Sequence, residues 1–317
     1  MPIKIEHGII NDPNCPNPGY YWPSLKYEKE LCEALADNNT LVIATTFQDI
    51  DDMKKIAHAY LDENPGCRVK ICPFYDPWNK ENFLELANNH SNIELIDATK
   101  VNFWMHAVDK FFVEYTDEEI KPTTFEYDFL CYQRKPYPTR QDRYSAMKDL
   151  NGIITLGGNT YDFNEGIGKG THEIMLGEDS KTIPNDMYSL GNLDVWQKSF
   201  LVITAETCST NAPWASEKTW KPIIGKRPFV LCDNDWAPAY LKSKGFEIFD
   251  DEFGIEYVSE CGMYGDIPTP EVLVEVVENL QGQNLEAYYK ELEPKIEHNY
   301  HQFKKLVAEQ KQRLTLP

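Results

Sequence analysis

The stretch that decides the predicted fold is Phe200–Asp233, FLVITAETCSTNAPWASEKTWKPIIGKRPFVLCD. It begins with an apolar run of strand length that ends immediately before Glu206, and a second such run follows at Pro228–Cys232. Residues between them predict a helix over Glu217–Ile224. This order predicts two strands of a parallel sheet joined by a helix, and it places Glu206 at the carboxyl edge, where ligands of α/β proteins bind.

The start of this predicted helix has features of an anion site. Ser216 is a good N-cap residue, and the N–H groups and dipole of a helix N-terminus suit a diphosphate. Lys218 lies in the first turn, where a cation opposes the dipole, and a bound anion would explain its presence. Glu217 is suited to accept hydrogen bonds from ribose hydroxyls. The alternative is that Glu217 and Lys218 only begin a solvated helix.

Outward from this stretch, strand and helix signals alternate along most of the chain. Further strands are predicted at residues 3–10, 40–46, 68–74, 92–98, 127–132, 152–156 and 247–249. Further helices are predicted at residues 25–36, 49–61, 80–88, 137–150, 240–244, 270–280 and 285–308. The pattern predicts an α/β protein with two Rossmann-like domains facing a cleft, residues 1–120 and 121–284, and a closing C-terminal helix at 285–317.

Composition limits the classes of function. The chain has 317 residues and a net charge of −20, which repels nucleic acid and anionic membranes in bulk. A phosphate site therefore requires locally focused positive groups. No apolar run approaches the roughly 18 residues that span a bilayer, and no signal-peptide pattern begins the sequence. The 8 cysteines are scattered, which favours reduced thiols and a cytoplasmic location.

Two segments together resemble a known family. An acid-ending strand, a loop, a helix beginning Ser216-Glu217-Lys218 and the Pro228–Cys232 strand are similar to the donor-binding segment of GT-B glycosyltransferases. The likeness is to the α1,3-fucosyltransferase-like group, including bacterial and phage proteins. Phe129–Arg143, FLCYQRKPYPTRQDR, resembles that group's strand and basic loop, with Gln133 in place of the usual Asn. Gly245–Asp250 and Glu297–Tyr300 are similar to its later segments.

The resemblance implies roles for individual residues. It implies that Glu217 holds the nucleotide ribose and that Lys218 holds phosphate, while Glu206 matches the acid that ends the preceding strand. An arginine of the basic loop contacts donor phosphate in this family. By position Arg140 is the first choice, followed by Arg134 and Arg143. The second domain would then bind the nucleotide sugar, and residues 1–120 would bind the acceptor.

Competing motifs are weaker. Asp49–Asp51 and Asp233–Asp235 match the D-x-D pattern that holds a metal in GT-A transferases, but the pattern is short and the chain is acidic. Gly166–Thr171 lacks P-loop spacing, although Lys169 could still contact phosphate. The histidines show no metal-ligand spacing. We therefore expect no metal and no cofactor beyond a nucleoside diphosphate sugar as co-substrate.

The sequence thus predicts a glycosyltransferase, of hexosyl or pentosyl type, that moves a sugar to an acceptor hydroxyl of a glycan or other cellular molecule. Inversion is expected and requires a base in the first domain; Asp76 is the first candidate and Asp12 the second. Retention remains open. One alternative is a phage-type DNA glycosyltransferase acting on a hydroxymethylated base. Another is a protein that binds sugar or nucleotide without catalysis.

Overall fold

The computed structural model describes residues 40–45, 57–58, 60–73, 90–95, 105, 108–109, 112, 114–133, 136–156, 189–206, 215–232, 237–255 and 268–315. The chain divides into two compact units, residues 1–107 with 308–317 and residues 108–307. Each unit contains a parallel sheet. The predicted mixed α/β class with parallel sheets is confirmed, whereas the domain ranges 1–120, 121–284 and 285–317 stay predictions.

The first unit contains a three-stranded parallel sheet. Its strands are β1 (Thr40–Thr45), β2 (Arg68–Pro73) and β3 (Ile93–Leu95), in the spatial order β1-β2-β3. Val69 of β2 lies opposite Ile93 of β3, and both side chains are buried. Three of the predicted strands are therefore confirmed, each within a few residues of its predicted ends.

The second unit contains a four-stranded parallel sheet in the order β5-β4-β6-β7. Its strands are β4 (Tyr127–Cys131), β5 (Gly152–Ile154), β6 (Ser199–Ala205) and β7 (Phe229–Cys232). Every residue of β6 is buried, as expected for an interior strand of a parallel sheet. The predicted strands at residues 200–205 and 228–232 are thus adjacent in this sheet.

Eight helices lie in the described part of residues 108–315. They are α1 (Asp117–Ile120), α2 (Pro138–Met147), α3 (Leu193–Lys198), α4 (Glu217–Ile224), α5 (Ala237–Ser243), α6 (Asp250–Phe253), α7 (Pro270–Leu280) and α8 (Leu285–Thr315). Helices α4 and α7 have their predicted bounds. Helix α8 continues past its predicted end at Ala308. Within the described residues, no helix is long and apolar enough to cross a membrane.

Helix α4 ends in a Schellman motif, and Gly225 in that motif packs closely against Trp196. Arg227 N–H donates to the Pro222 carbonyl at 2.8 Å and Lys226 N–H donates to Ile223 at 3.4 Å, the pattern of a Schellman motif. Lys226 takes the left-handed position at φ 52°, which usually falls to glycine. The glycine lies one residue earlier, at Gly225, because a Cβ there would come within 2.3 Å of the Trp196 ring.

Arg227 is a buried support for the amino end of the second sheet. Its side chain is 1% exposed. The guanidinium donates to five backbone carbonyls at 3.0 to 3.2 Å, those of Ile120, Trp196, Ser199, Gly225 and Lys226. Burial lowers the pKa of Arg227 to about 10, against an opposing contribution from Tyr289. One side chain therefore joins α1, α3, the first residue of β6 and the turn after α4.

The predicted strand at Glu247–Phe249 is wrong, because these residues form no strand. Their backbone instead pairs with a side chain of α8. Asn299 accepts a hydrogen bond from Glu247 N–H at 2.8 Å and donates to the Glu247 carbonyl at 2.7 Å. A single carboxamide thereby satisfies one donor and one acceptor, as a neighbouring strand would. Ile248 and Phe249 are buried, which explains why the segment has a strand-like apolar pattern.

Candidate functional site

The candidate site lies at the carboxyl edge of the second sheet, between β4 and β6. The chain leaves β4 for β5 on one side, and β6 on the other side leads to β7. The connections after β4 and β6 therefore run in opposite directions, which makes this a topological switch point. Ligands of parallel α/β sheets usually bind at such points. Gln133 and Glu206 follow these two strands and are each 1% exposed.

On the β4 side, Gln133 organises the start of α2. Its backbone N–H donates to the Thr155 hydroxyl at 3.0 Å, beyond the end of β5. Its side chain donates to the Arg140 carbonyl at 2.8 Å and accepts from Arg143 Nη1 at 3.1 Å. The Gln133 side chain thus binds two turns of α2 at once, and it holds Arg143 in the interior, where Arg143 is 3% exposed.

Arg140 connects the two strand ends. Its Nη2 donates to the carbonyls of Ala205 at 2.9 Å and Glu206 at 2.7 Å. The guanidinium lies 5.2 Å from the centre of the Tyr137 ring, and the residue is 2% exposed. Arg140, the arginine chosen from the sequence for phosphate contact, thus binds the end of β6. Its contact with phosphate stays a prediction.

The Glu206 carboxylate is buried against the start of α4. Oε1 accepts from Ser216 N–H at 3.1 Å and from the Thr219 hydroxyl at 2.7 Å. Oε2 accepts from the Ser216 hydroxyl at 2.5 Å. The negative charge lies at the positive end of the helix, which stabilises it there.

Three N–H groups at the start of α4 bind acceptors within the protein. Lys218 N–H donates to the Ser216 hydroxyl at 3.2 Å and Thr219 N–H donates to the Ser216 carbonyl at 3.2 Å. Ser216 N–H donates to Glu206. Of the N–H groups that the sequence offers to a diphosphate, those of Lys218 and Thr219 therefore have partners within the protein, and the diphosphate contact stays a prediction. The predicted N-cap role of Ser216 is confirmed.

Glu217 and Lys218 form an ion pair at the same place. Lys218 Nζ lies 2.7 Å from Glu217 Oε1, and the two side chains are 25% and 8% exposed. Burial disfavours ionisation of Glu217, but the ammonium groups of Lys218 and Lys221 outweigh it and hold the pKa of that carboxyl below its ordinary value. Glu217 is therefore ionised at neutral pH.

The cluster concentrates positive charge in an acidic chain. It contains four cationic side chains and two carboxylates, namely Arg140, Arg143, Lys218, Lys221, Glu206 and Glu217. The whole chain has a net charge of −20. Since most of these groups are buried, solvent screens them less than it screens surface charges. The arrangement meets the requirement for a locally focused cationic group.

Five of the eight predicted site residues are thus brought together, and three lie outside the described residues: Arg134, Asp76 and Asp12. Also outside are the D-x-D pairs at 49–51 and 233–235 and the segment Gly166–Thr171. In the part of the chain that the structure describes, no three His, Cys, Asp or Glu side chains could hold a metal ion together.

Three residues at the site were not selected from the sequence: Lys221, which belongs to the cluster, and Gln133 and Thr219, whose side chains bind Arg143 and Glu206 in it. Thr219 lies three residues after the Ser216 cap, where a capping-box side chain binds the N-cap backbone, but its hydroxyl donates to Glu206. Local spacing therefore does not identify its role. Gln133 carried no signal beyond its place in the Phe129–Arg143 segment.

Comparisons with protein-family models, curated proteins and solved structures find no match to this chain.

Proposed function

We propose that the cluster between β4 and β6 binds a nucleoside diphosphate sugar and that the chain is a metal-independent glycosyltransferase with a GT-B arrangement. The supporting observation is that predicted donor ligands from two separate chain segments lie in one cluster. Arg140 and Arg143 come from the segment after β4, and Glu206, Glu217 and Lys218 come from the segment after β6. Residues selected separately as donor ligands belong to one connected cluster at a switch point.

The chemistry of the cluster fits a departing diphosphate. Transfer to an acceptor hydroxyl leaves negative charge on the diphosphate, and fixed cations stabilise that charge without reorganising. Lys218 is the most exposed cation of the cluster, and we assign it the phosphate contact. Glu217, an ionised acceptor beside it, would bind the ribose hydroxyls. The cations replace a metal in this proposal.

Titration calorimetry with UDP-, GDP- and CDP-sugars tests donor binding. Lys218→Ala should raise the Kd of the bound donor about tenfold, the loss of about 1.4 kcal/mol. Lys295→Ala is the matched control, because Lys295 is 20% exposed and pairs with Glu252 at 2.6 Å on other helices. The proposal fails if no nucleotide sugar binds, or if Lys218→Ala and Lys295→Ala have the same affinity as the unchanged chain.

Release of nucleotide separates catalysis from binding alone. Incubation with donor and a panel of hydroxyl acceptors should release nucleoside diphosphate, and EDTA should not reduce the rate. Asp76→Asn should abolish release while leaving donor affinity unchanged, and Asp12→Asn is the next variant if it does not. A chain that binds donor but releases nothing with any acceptor is a binding protein, and release only with hydroxymethylated DNA would identify the DNA-modifying alternative.

A further inference from the structure

Glu206 has little capacity left for a ligand. Its two carboxylate oxygens already accept three hydrogen bonds from Ser216 and Thr219, and the residue is 1% exposed. The geometry therefore separates this residue from Glu217 and Lys218, with which the sequence argument grouped it.

The main chain of Glu206 is fixed as well. Arg140 holds the carbonyls of Ala205 and Glu206 through one nitrogen, and Gln133 holds Arg140 through its carbonyl. Both the backbone and the side chain of one residue are thus bound to different elements. The result is a continuous path from the end of β4, through the end of β6, to the first turn of α4.

We propose that Glu206 is a positioning residue: it fixes the first turn of α4 through Ser216 and Thr219, so that the adjacent Glu217–Lys218 pair is held ready for its ligand. The identity of that ligand, a nucleoside diphosphate, rests on the function proposed above. Ser216 hydroxyl and N–H both bind Glu206, and the same hydroxyl caps Lys218 N–H. Glu206 therefore acts on Lys218 through one intervening residue.

The test compares variants at the two ends of one hydrogen bond. Glu206→Gln places an amide against hydroxyl and N–H donors, and Thr219→Val removes one donor while keeping the side-chain shape. Each should raise the Kd for UDP, GDP or CDP about tenfold, the usual scale for residues that orient ligand-binding groups. Because both residues act through the same helix turn, the double variant should bind nucleotide no more weakly than the single variant with the higher Kd. Thr219→Ser, which keeps the hydroxyl that donates to Glu206, should bind nucleotide as tightly as the unchanged chain.

Amide hydrogen exchange of residues 215–220 without ligand supplies a readout that needs no nucleotide. Glu206→Gln and Thr219→Val should accelerate exchange there, whereas Lys218→Ala should weaken binding without doing so. Unchanged exchange in both Glu206→Gln and Thr219→Val would overturn the inference, as would additive losses of affinity, which indicate that the two residues act independently of one another. If the unchanged chain binds none of the three diphosphates, the proposed function fails while the exchange rates still decide the positioning role.

Discussion

Removing the Arg227 guanidinium should destabilise the second unit severely. Arg227→Met keeps much of the apolar stem but leaves five backbone carbonyls without their donor. A buried polar group that loses its partner costs about 1 to 3 kcal/mol, and carbonyls with a second hydrogen bond fall at the low end. Removing a buried cation also removes its desolvation cost, which is evident in the lowered pKa. The net loss should be about 3 to 5 kcal/mol.

Equilibrium urea unfolding followed by tryptophan fluorescence measures this loss. Trp196 and Trp220 are fully buried in the same unit and should report its unfolding. Arg68→Met is the matched control, because Arg68 is exposed on β2, and a surface change of this kind should stay within about 0.5 kcal/mol. Arg227→Lys should fall between the two, since one ammonium cannot reach five carbonyls. A loss below about 1 kcal/mol for Arg227→Met would refute the supporting role.

Three further changes test other contacts in the second unit. Glu217→Gln should lower the free energy of unfolding at pH 7, because a pKa that folding lowers stabilises the folded state above the unfolded pKa. In urea titrations the difference should begin to shrink near the unfolded pKa of about 4.3 and disappear only below the folded pKa. Asn299→Ala should cost about 1 to 3 kcal/mol and speed amide exchange at Glu247, and an unaltered exchange rate there would contradict the pairing. Gly225→Ala should cost at least about 1 to 3 kcal/mol by calorimetric melting, and Trp196→Phe should recover part of it if the ring contact is the cause.

The elements around the site were predictable because their signals are local. Helix α4 has its predicted bounds, since Ser216 caps it and Gly225 ends it. The β6 strand was visible because every position is buried and apolar or small. Helices α1, α3 and α6 were missed, as four to six residues are too few to show a helical period.

Partners distant in sequence were not predictable. The internal partner of Ser216 N–H was missed because the acid that accepts from it, Glu206, lies ten residues earlier in the chain. The predicted strand at Glu247–Phe249 failed because Asn299, 52 residues later, provides its pairing. In both cases a side chain supplied the hydrogen bonds that the pattern assigned to another source. Sequence reasoning located these segments but could not identify what satisfies their backbone.

Salt dependence is a final prediction, and it separates a nucleotide-sugar site from a nucleic-acid surface. A charge of −20 repels an anionic donor at long range, and salt screens that repulsion with a Debye length of about 8 Å at physiological strength. The cations of the cluster are mostly buried, so salt screens their short-range attraction less. Calorimetry in about 50 to about 300 mM KCl should therefore show a donor Kd that stays constant or falls as salt is added. DNA binding instead weakens steeply as phosphate-bound counterions are released. A steep loss of donor affinity with salt would show that surface cations, not the buried cluster, hold the ligand.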